Sequence, residues 1–208
     1  MKKFLPIFSL VFCAVVLVAC KGQTTKNAMK HGENLKAAIE SFEKNRQKLS
    51  TSLVASLEEA GNDLTSENPD LPKVSKDFEK EWTSIQSRYK KLKGDFERVG
   101  STSEAYFTKL DELSGSINKE SLRNEELAKN KELRLRWDKS YQEAKVSVEK
   151  VTTVLEAGHD FQMVLVASSV RQKLEQNVEE LNLISQQAKT LLGDLEAFTA
   201  AGRELVEG

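Results

Sequence analysis

Proline is scarce in this sequence, and so are glycine and histidine: the 208 residues include 3 Pro, 10 Gly and 2 His. Because proline breaks the interior of a helix and glycine weakens it, a chain with few of either suits long uninterrupted helices. Pro69 and Pro72 lie close together, which marks one connection rather than two separate breaks. The hydrophobic fraction of 39% and the charged fraction of 30% are far from those of a disordered chain. We therefore expect a nearly all-helical protein.

The sequence also lacks an excess of charge of either sign. It contains 31 basic and 32 acidic residues, and its formal net charge is −1. Proteins that bind nucleic acid through the release of counterions need a basic excess. We therefore expect no nucleic-acid partner.

The first 19 residues have the pattern of an export signal. Met1-Lys2-Lys3 is a basic stretch, and an uncharged apolar stretch follows from Phe4 to Val18. A secretory signal has this order of a basic n-region and an apolar h-region. The apolar stretch is shorter than the roughly 20 residues that a membrane-spanning helix needs. We interpret residues 1–19 as a signal peptide that is cleaved.

The end of this segment, Leu17-Val18-Ala19-Cys20, resembles the lipobox of bacterial lipoproteins. In that family the cysteine thiol receives a diacylglyceryl group, the signal is cut before the cysteine, and the freed amine is usually acylated. The resemblance implies that Cys20 is the lipidated residue and that membrane lipid is one partner. Each methylene group buried in the bilayer contributes about 0.8 kcal/mol to membrane binding. Stable attachment therefore requires two or more acyl chains. The alternative is an ordinary secretory cleavage beside a chance cysteine.

The surroundings of Cys20 bear on disulfides and on the final location. The other cysteine, Cys13, lies within the predicted h-region, so cleavage would leave Cys20 without a disulfide partner. In a host with two membranes, Lys21 resembles the sorting context of lipoproteins that pass to the outer membrane. Residues 21–27 contain no acidic cluster of the kind that some bacteria use for surface display. We therefore expect an anchor in the outer membrane and a protein facing the periplasm.

Four long segments have the heptad pattern of packed helices, in which core-facing residues, most of them apolar, recur at alternating gaps of three and four. The first runs from Ala28 to Ala60, and the second from Phe78 to Ile117. Residues 61–74, which include both clustered prolines, form the predicted connection between them. The third segment runs from Leu133 to Leu155, and the fourth from Leu174 to Leu205.

Turn-forming residues predict the other two connections. Ser114-Gly115-Ser116 separates the second segment from the third. Gly158-His159-Asp160 could interrupt the helix after the third segment. The apolar run that follows instead favours a turn near residues 167–169, where Ser169 and Gln172 make a capping box.

These patterns predict an all-α fold, an elongated antiparallel bundle of about four long helices with coiled-coil-like heptad packing. The second segment alone would form a rod of about 60 Å at about 1.5 Å per residue. We assign residues 1–19 to the signal peptide, residues 20–27 to the lipidated cysteine and a tether, and residues 28–208 to the bundle. Trp82 and Trp137 fall on the apolar stripes, which favours core packing over a ligand site.

No catalytic, metal or cofactor site emerges from the sequence. His31 and His159 are far apart and have no partner at the spacing of metal ligands. A glycine-rich phosphate loop, a nucleophile elbow and a free cysteine nucleophile are all missing. We therefore expect no enzyme activity and no cofactor.

Several charged residues allow more than one interpretation. Arg46 interrupts the first stripe, and it could pair with a buried acid or extend to the rim of the bundle, which we favour. A basic cluster could meet anionic headgroups or an acidic partner, although a solvated face is the simpler interpretation. The cluster consists of Arg88, Lys90, Lys91 and Lys93. Three acids precede a base by four residues, and we interpret these positions as solvated helix surface: Glu40 with Lys44, Glu125 with Lys129, and Glu132 with Arg136.

Some residues of the third and fourth segments have an order and spacing similar to those of a known bacterial family. They are Leu122-Arg123, Tyr141, Val154-Leu155 and Val164-Leu165. Over roughly residues 75–200 they resemble the family called domain of unknown function 2959. The Asn-containing turn of that family is replaced here by Ala167-Ser168-Ser169, and its tryptophan in the second helix is missing near Leu110. The resemblance implies no established activity.

The combination of a tether, four amphipathic segments and no catalytic grouping predicts a membrane-anchored lipoprotein of the bacterial cell envelope. We expect it to act as a structural or protein-interaction module with a protein partner. The alternative is an envelope binding protein that holds an apolar small molecule or lipid between its helices.

Changing Cys20→Ala tests the anchor. Without the thiol no thioether forms, so the variant should keep its signal and take up no labelled palmitate. Cys13→Ala is the control, and it should be processed and labelled like the wild type. The readouts are gel mobility and palmitate labelling in cells. Lipid label that persists in Cys20→Ala would refute the assignment.

Overall fold

A computed structural model describes residues 8–171 and 178–207 of the chain, with side chains from Lys26 onward except those of residues 28 and 178. Four helices account for most of these residues: α1 (Phe8–Leu64), α2 (Leu71–Gly115), α3 (Glu120–Arg171) and α4 (Val178–Glu207). The predicted lipobox and its cysteine, residues 17–20, lie outside the described side chains. Within the described part of the chain, no helix has a stretch that is both long enough and apolar enough to cross a bilayer.

The helices form a four-membered ring. α1 packs against α2 and α4, and α3 packs against the same two helices. The order of contacts shows that neighbours are antiparallel. Ser41 of α1 donates to Asp95 of α2 at 3.0 Å, whereas Arg98, further along α2, donates to the carbonyl oxygen of Ala37, earlier in α1. The predicted all-α antiparallel bundle is confirmed.

The core contains most of the residues on the heptad stripes and also residues outside them, such as Phe107 and Phe161. Along α1 the buried positions include Leu35, Ile39, Phe42, Leu49, Leu53 and Ala60. One aromatic side chain from each helix meets at mid-height, and we call this group the central aromatic layer. It comprises Phe42, Phe96, Tyr141 and Phe198. The rings of Phe96 and Tyr141 stack with their centroids 4.5 Å apart, so all four helices meet in one well-packed plane.

A second aromatic contact explains why α3 does not stop at Gly158. The indole of Trp82 stacks on Phe78 at 5.1 Å and donates to the carbonyl oxygen of Leu155 at 3.1 Å. A Cβ atom at Gly158 would lie 1.7 Å from Cζ2 of this ring. Gly158 is therefore a place of close approach between α3 and the indole, and the helix passes through it to Arg171.

The first connection is shorter than predicted. α1 extends to Leu64, and α2 begins at Leu71, within the segment 61–74 that the sequence suggested as a loop. Asp70 caps α2 because its side chain accepts a hydrogen bond from the backbone N–H of Lys73 at 3.2 Å. Pro72 occupies the first turn, where a helix needs no N–H donor. The second connection follows Gly115 as predicted.

The predicted turn near residues 167–169 is wrong. α3 continues through these residues, and the Ser169 hydroxyl donates to the carbonyl oxygen of Val166 at 2.8 Å rather than capping a new helix. Burial continues into the predicted turn, since Leu165 just before it and Ser168 within it are both buried. Gln172, the other half of the predicted capping box, lies outside the described residues.

The three acid–base pairs assigned to the solvated surface are all exposed, as predicted, and one of them forms an ion pair. Lys129 lies 2.9 Å from Glu125. The other two pairs, Glu40 with Lys44 and Glu132 with Arg136, do not approach within 4.0 Å in the described structure. Such exposed pairs contribute only a few tenths of a kcal/mol.

Gly158→Ala should lower the free energy of unfolding. Glycine to alanine inside a helix usually stabilises by about 0.5–1 kcal/mol, but here the added methyl group displaces Trp82, and overpacking should destabilise by about 1–3 kcal/mol. Gly94→Ala is the matched control, because nothing lies within 4 Å of its Cβ position. Urea unfolding followed by circular dichroism measures both. A Gly158→Ala variant as stable as Gly94→Ala would contradict the close contact.

Candidate functional site

The residues that most often carry chemistry are not gathered into one site. No group of three or more His, Cys, Asp or Glu that could hold a metal ion occurs among the described residues. His31 is half-buried on α1 and His159 is exposed on α3, two helices that do not pack against each other. Trp82 and Trp137 are buried in the core, as the stripes predicted.

Among the described residues, the most buried charged group is an ion pair within α1. The guanidinium of Arg46 donates through Nε and Nη2 to the two carboxylate oxygens of Glu43, at 2.7 and 2.8 Å. Each of the two residues is only 6% exposed. The sequence interpretation favoured an arginine that extends to the rim, and this is wrong. Arg46 stays inside because an acid three residues earlier on the same helix face neutralises it.

This pair also joins α1 to α4. Nη1 of Arg46 donates to the carbonyl oxygen of Leu192 at 3.0 Å, and Nη2 lies 3.5 Å from a carboxylate oxygen of Glu196. On α1, the amide of Gln47 donates to Glu43 at 2.6 Å. A buried charge pair is tolerated when its remaining donors and acceptors are satisfied in this way.

The chemistry of Glu43 follows from these contacts. Hydrogen bonds from Arg46 hold the pKa of the Glu43 carboxyl below its usual range, although burial acts in the opposite direction. The same contacts with Glu43 raise the pKa of Arg46. A carboxylate that stays ionised and bonded to a guanidinium is poorly suited to donate or accept a proton near neutral pH. The geometry fits a structural role.

A second buried polar group ties α2 to α3. The amide of Asn130 donates to Asp111 and to the hydroxyl of Ser114, both at 3.0 Å. Nearby, the guanidinium of Arg134 lies 5.5 Å from the centroid of the Phe107 ring and pairs with Glu104. Sequence reasoning missed this group, because Asn130 precedes the first apolar residue assigned to the third stripe.

Grooves that open to solvent lie between neighbouring helices. One, beside Trp137, has a volume of about 500 Å³ and includes Tyr106, Leu133 and Leu205 in its lining. We call it the tryptophan groove. Another, between α1 and α2, has a volume of about 360 Å³ and is lined by six residues. We call it the cationic groove, and its lining is Lys44, Gln47, Lys48, Thr51, Ser52 and Arg88.

The basic cluster suggested by the sequence is divided in the structure. Arg88 is half-buried in the cationic groove, beside Lys44 and Lys48 of α1. Lys90 and Lys93 are exposed, and they are rotated from Arg88 by roughly 200° and 140° around α2, at about 100° per residue. The basic side chains that lie together in the cationic groove therefore come from two helices. No pattern in a single segment could have shown it.

The solvent face of α3 has an apolar stretch near its end. Met163, Val166 and Val170 are 53%, 37% and 80% exposed. Their spacing of three and four places them on one face of the helix, opposite the buried side chains of Phe161 and Leu165. We call these three residues the α3 stripe.

No family model, curated protein or solved structure matches this chain. The resemblance to the domain of unknown function 2959 therefore depends on the sequence pattern alone and stays a prediction. Tyr141, Val154 and Leu155, which contribute to that resemblance, pack in or against the core.

Glu43→Gln should destabilise the bundle strongly. It removes the buried carboxylate of the Arg46 pair and leaves only the exposed Glu196 nearby, at 3.5 Å, and breaking a buried pair costs about 3–5 kcal/mol. Glu58→Gln is the control, because Glu58 forms an exposed pair with Lys189 at 3.7 Å, and such pairs contribute at most about 1 kcal/mol.

The two variants should also differ in their dependence on pH. The folded pKa of Glu43 lies below its ordinary value of 4.5, so its contribution to stability is present above that value and is lost as the pH falls through the lower folded pKa. Urea unfolding as a function of pH should show this loss in the wild type and in Glu58→Gln, and a smaller one in Glu43→Gln. Identical acid slopes in all three proteins would show that Glu43 is not bonded as described.

Proposed function

We propose that this chain is a lipid-anchored structural or protein-interaction module of the bacterial cell envelope, held at the outer membrane through Cys20 and facing the periplasm. The α3 stripe is the observation that supports the interaction role. A helix face turned to water is usually polar. Three neighbouring apolar side chains on such a face fit a surface that a partner covers.

The position of the α3 stripe supports a role at a distance from the membrane. The ring of Phe161, which lies just before the stripe, contacts Phe78 near the start of α2 at 5.4 Å. The stripe is therefore at the end of the bundle where α1 finishes. From Lys26 to Leu64, α1 rises about 57 Å at about 1.5 Å per residue. With the chain anchored at Cys20, the bundle would hold the α3 stripe roughly that far from the bilayer.

The packing of the core supports a rigid spacer. The central aromatic layer fills the middle of the bundle with one ring from each helix. Trp82 fills the space over Gly158. A bundle packed in this way keeps its two ends in a fixed relative position, because displacing one helix requires the others to repack.

A second candidate function, the binding of an apolar small molecule or lipid, is supported by the tryptophan groove. The tryptophan groove includes Tyr106, Leu133, Trp137 and Leu205 in its lining. An apolar molecule or a lipid chain could lie there, as small-molecule sites combine apolar walls with a few polar groups. The lining also includes Arg136 and Glu204, which would face the polar end of such a molecule.

Replacing apolar residues of the α3 stripe by glutamate should abolish partner crosslinking in cells. Met163→Glu and Val170→Glu each place a charge on the α3 stripe. Covering an unpaired charge with a partner protein is unfavourable. Val146→Glu is the matched control, because Val146 is also on α3 and 49% exposed but is rotated by roughly 200° from Val166, at about 100° per residue. The Val146→Glu variant should keep its crosslinks, and all three variants should keep the wild-type helix content.

The opposite pattern would favour the second candidate. If the α3 stripe variants remain active in cells while Leu133→Glu in the tryptophan groove loses function, the interaction role through α3 is wrong. Lipid or dye that copurifies with the wild type and is absent from Leu133→Glu would then identify a binding protein.

A further inference from the structure

The cationic groove brings together three basic side chains and no acidic one. Lys44 and Lys48 come from successive turns of α1, and Arg88 comes from α2. The rest of the lining is uncharged and consists of Gln47, Thr51 and Ser52. Every charge in the lining of the groove is therefore positive.

The acids closest in sequence do not neutralise these charges. Within the described structure, none of the three cations makes an ion pair or a hydrogen bond with another described residue. Glu43 is bonded to Arg46, and Asp95 accepts hydrogen bonds from two other side chains of α1. Lys44 and Lys48 repel each other across one helical turn, so an anion between the helices would relieve an unfavourable arrangement.

Individual donors in the groove also lack acceptors. Nε of Arg88 is buried and has no hydrogen-bond partner in the described structure. The hydroxyls of Thr51 and Ser52 form no hydrogen bond with the described residues. By contrast, the Thr83 and Ser87 hydroxyls of α2 each donate to the carbonyl oxygen four residues earlier.

We propose that the cationic groove binds a phosphate group, with the guanidinium of Arg88 and the ammonium groups of Lys44 and Lys48 as its ligands. Phosphate offers several acceptor oxygens to donors of this kind, and its bonds to guanidinium and ammonium are among the strong hydrogen bonds of proteins. Thr51 and Ser52 supply further donors.

The phosphate has two possible sources, a soluble phosphate ester or the phosphomonoester headgroup of a lipid. The site is separate from the α3 stripe, because it belongs to α1 and α2, whereas the stripe lies on the solvent face of α3. The inference therefore does not depend on the proposed protein partner. Failure of one leaves the other intact.

The test uses the full-length protein in detergent and inorganic pyrophosphate as the soluble probe, measured by titration calorimetry. Arg88→Gln and Lys48→Gln should each weaken binding by at least about tenfold, the usual effect of removing a hydrogen bond from a charged donor. Lys90→Gln is the matched control. It removes the same charge from the same helix outside the groove, and it should change affinity by less than about twofold, as expected for an exposed charge.

Vesicles of phosphatidylcholine, with or without phosphatidic acid, form the second arm. Binding to pyrophosphate that depends on Arg88 and Lys48 supports a soluble ligand. Binding to phosphatidic acid vesicles alone, with the same dependence on both residues, supports a lipid headgroup at the same site. Equal weakening in Lys90→Gln and Arg88→Gln would overturn the proposal, because it would show a general charge effect. The absence of binding both to pyrophosphate and to phosphatidic acid vesicles would also overturn it. Lys48 is exposed, so Lys48→Gln keeps the test valid if Arg88→Gln fails to fold.

Discussion

Each helix of this protein has a core-facing stripe to bury, and the ring of four antiparallel helices is the arrangement that buries all of them at once. The central aromatic layer depends on this constraint, because its four rings come from four helices and meet at one height. The buried contacts above and below it depend on the same register. Trp82 reaches Gly158 only when α2 and α3 are aligned as they are, and Arg46 reaches Leu192 only when α1 and α4 are.

The polar contacts inside the bundle specify this alignment more than they add stability. Apolar stripes alone tolerate a shift by one heptad, since the new neighbours are also apolar. A shift would separate Arg46 from the Glu196 carboxylate of α4, and Asn130 from Asp111 and Ser114. Because a buried donor without a partner is unfavourable, these groups disfavour a register that separates them from their partners.

Sequence patterns predicted the parts of the fold that depend on neighbours along the chain. The heptad spacing identified the all-α class and most of the core, and Ser114-Gly115-Ser116 marked a true helix end. The role of Gly158 was hidden, because it depends on an indole from another helix. Glu43 was close enough in sequence to be a candidate partner for Arg46, but only the packing of α4 shows that the pair is buried. The sequence showed only part of the cationic groove, since Arg88 was assigned to a basic cluster, whereas Lys44 was paired with Glu40 and Lys48 was not singled out. No described contact bears on the cleavage and lipidation predicted at Cys20.

The antiparallel course of the chain has a practical consequence for labelling and display. Lys36 of α1 bonds to Glu207 of α4 at 2.8 Å, so the end of the last helix lies beside the early part of the first. The short connection between α1 and α2, residues 65–70, is at the other pole. A reporter joined after Glu207 would sit near the base of the bundle, whereas one inserted within 65–70 would be carried at its tip. The same scaffold thus offers two attachment points about 42 Å apart along the bundle, the rise of α1 from Lys36 to Leu64 at about 1.5 Å per residue, and neither lies over the cationic groove.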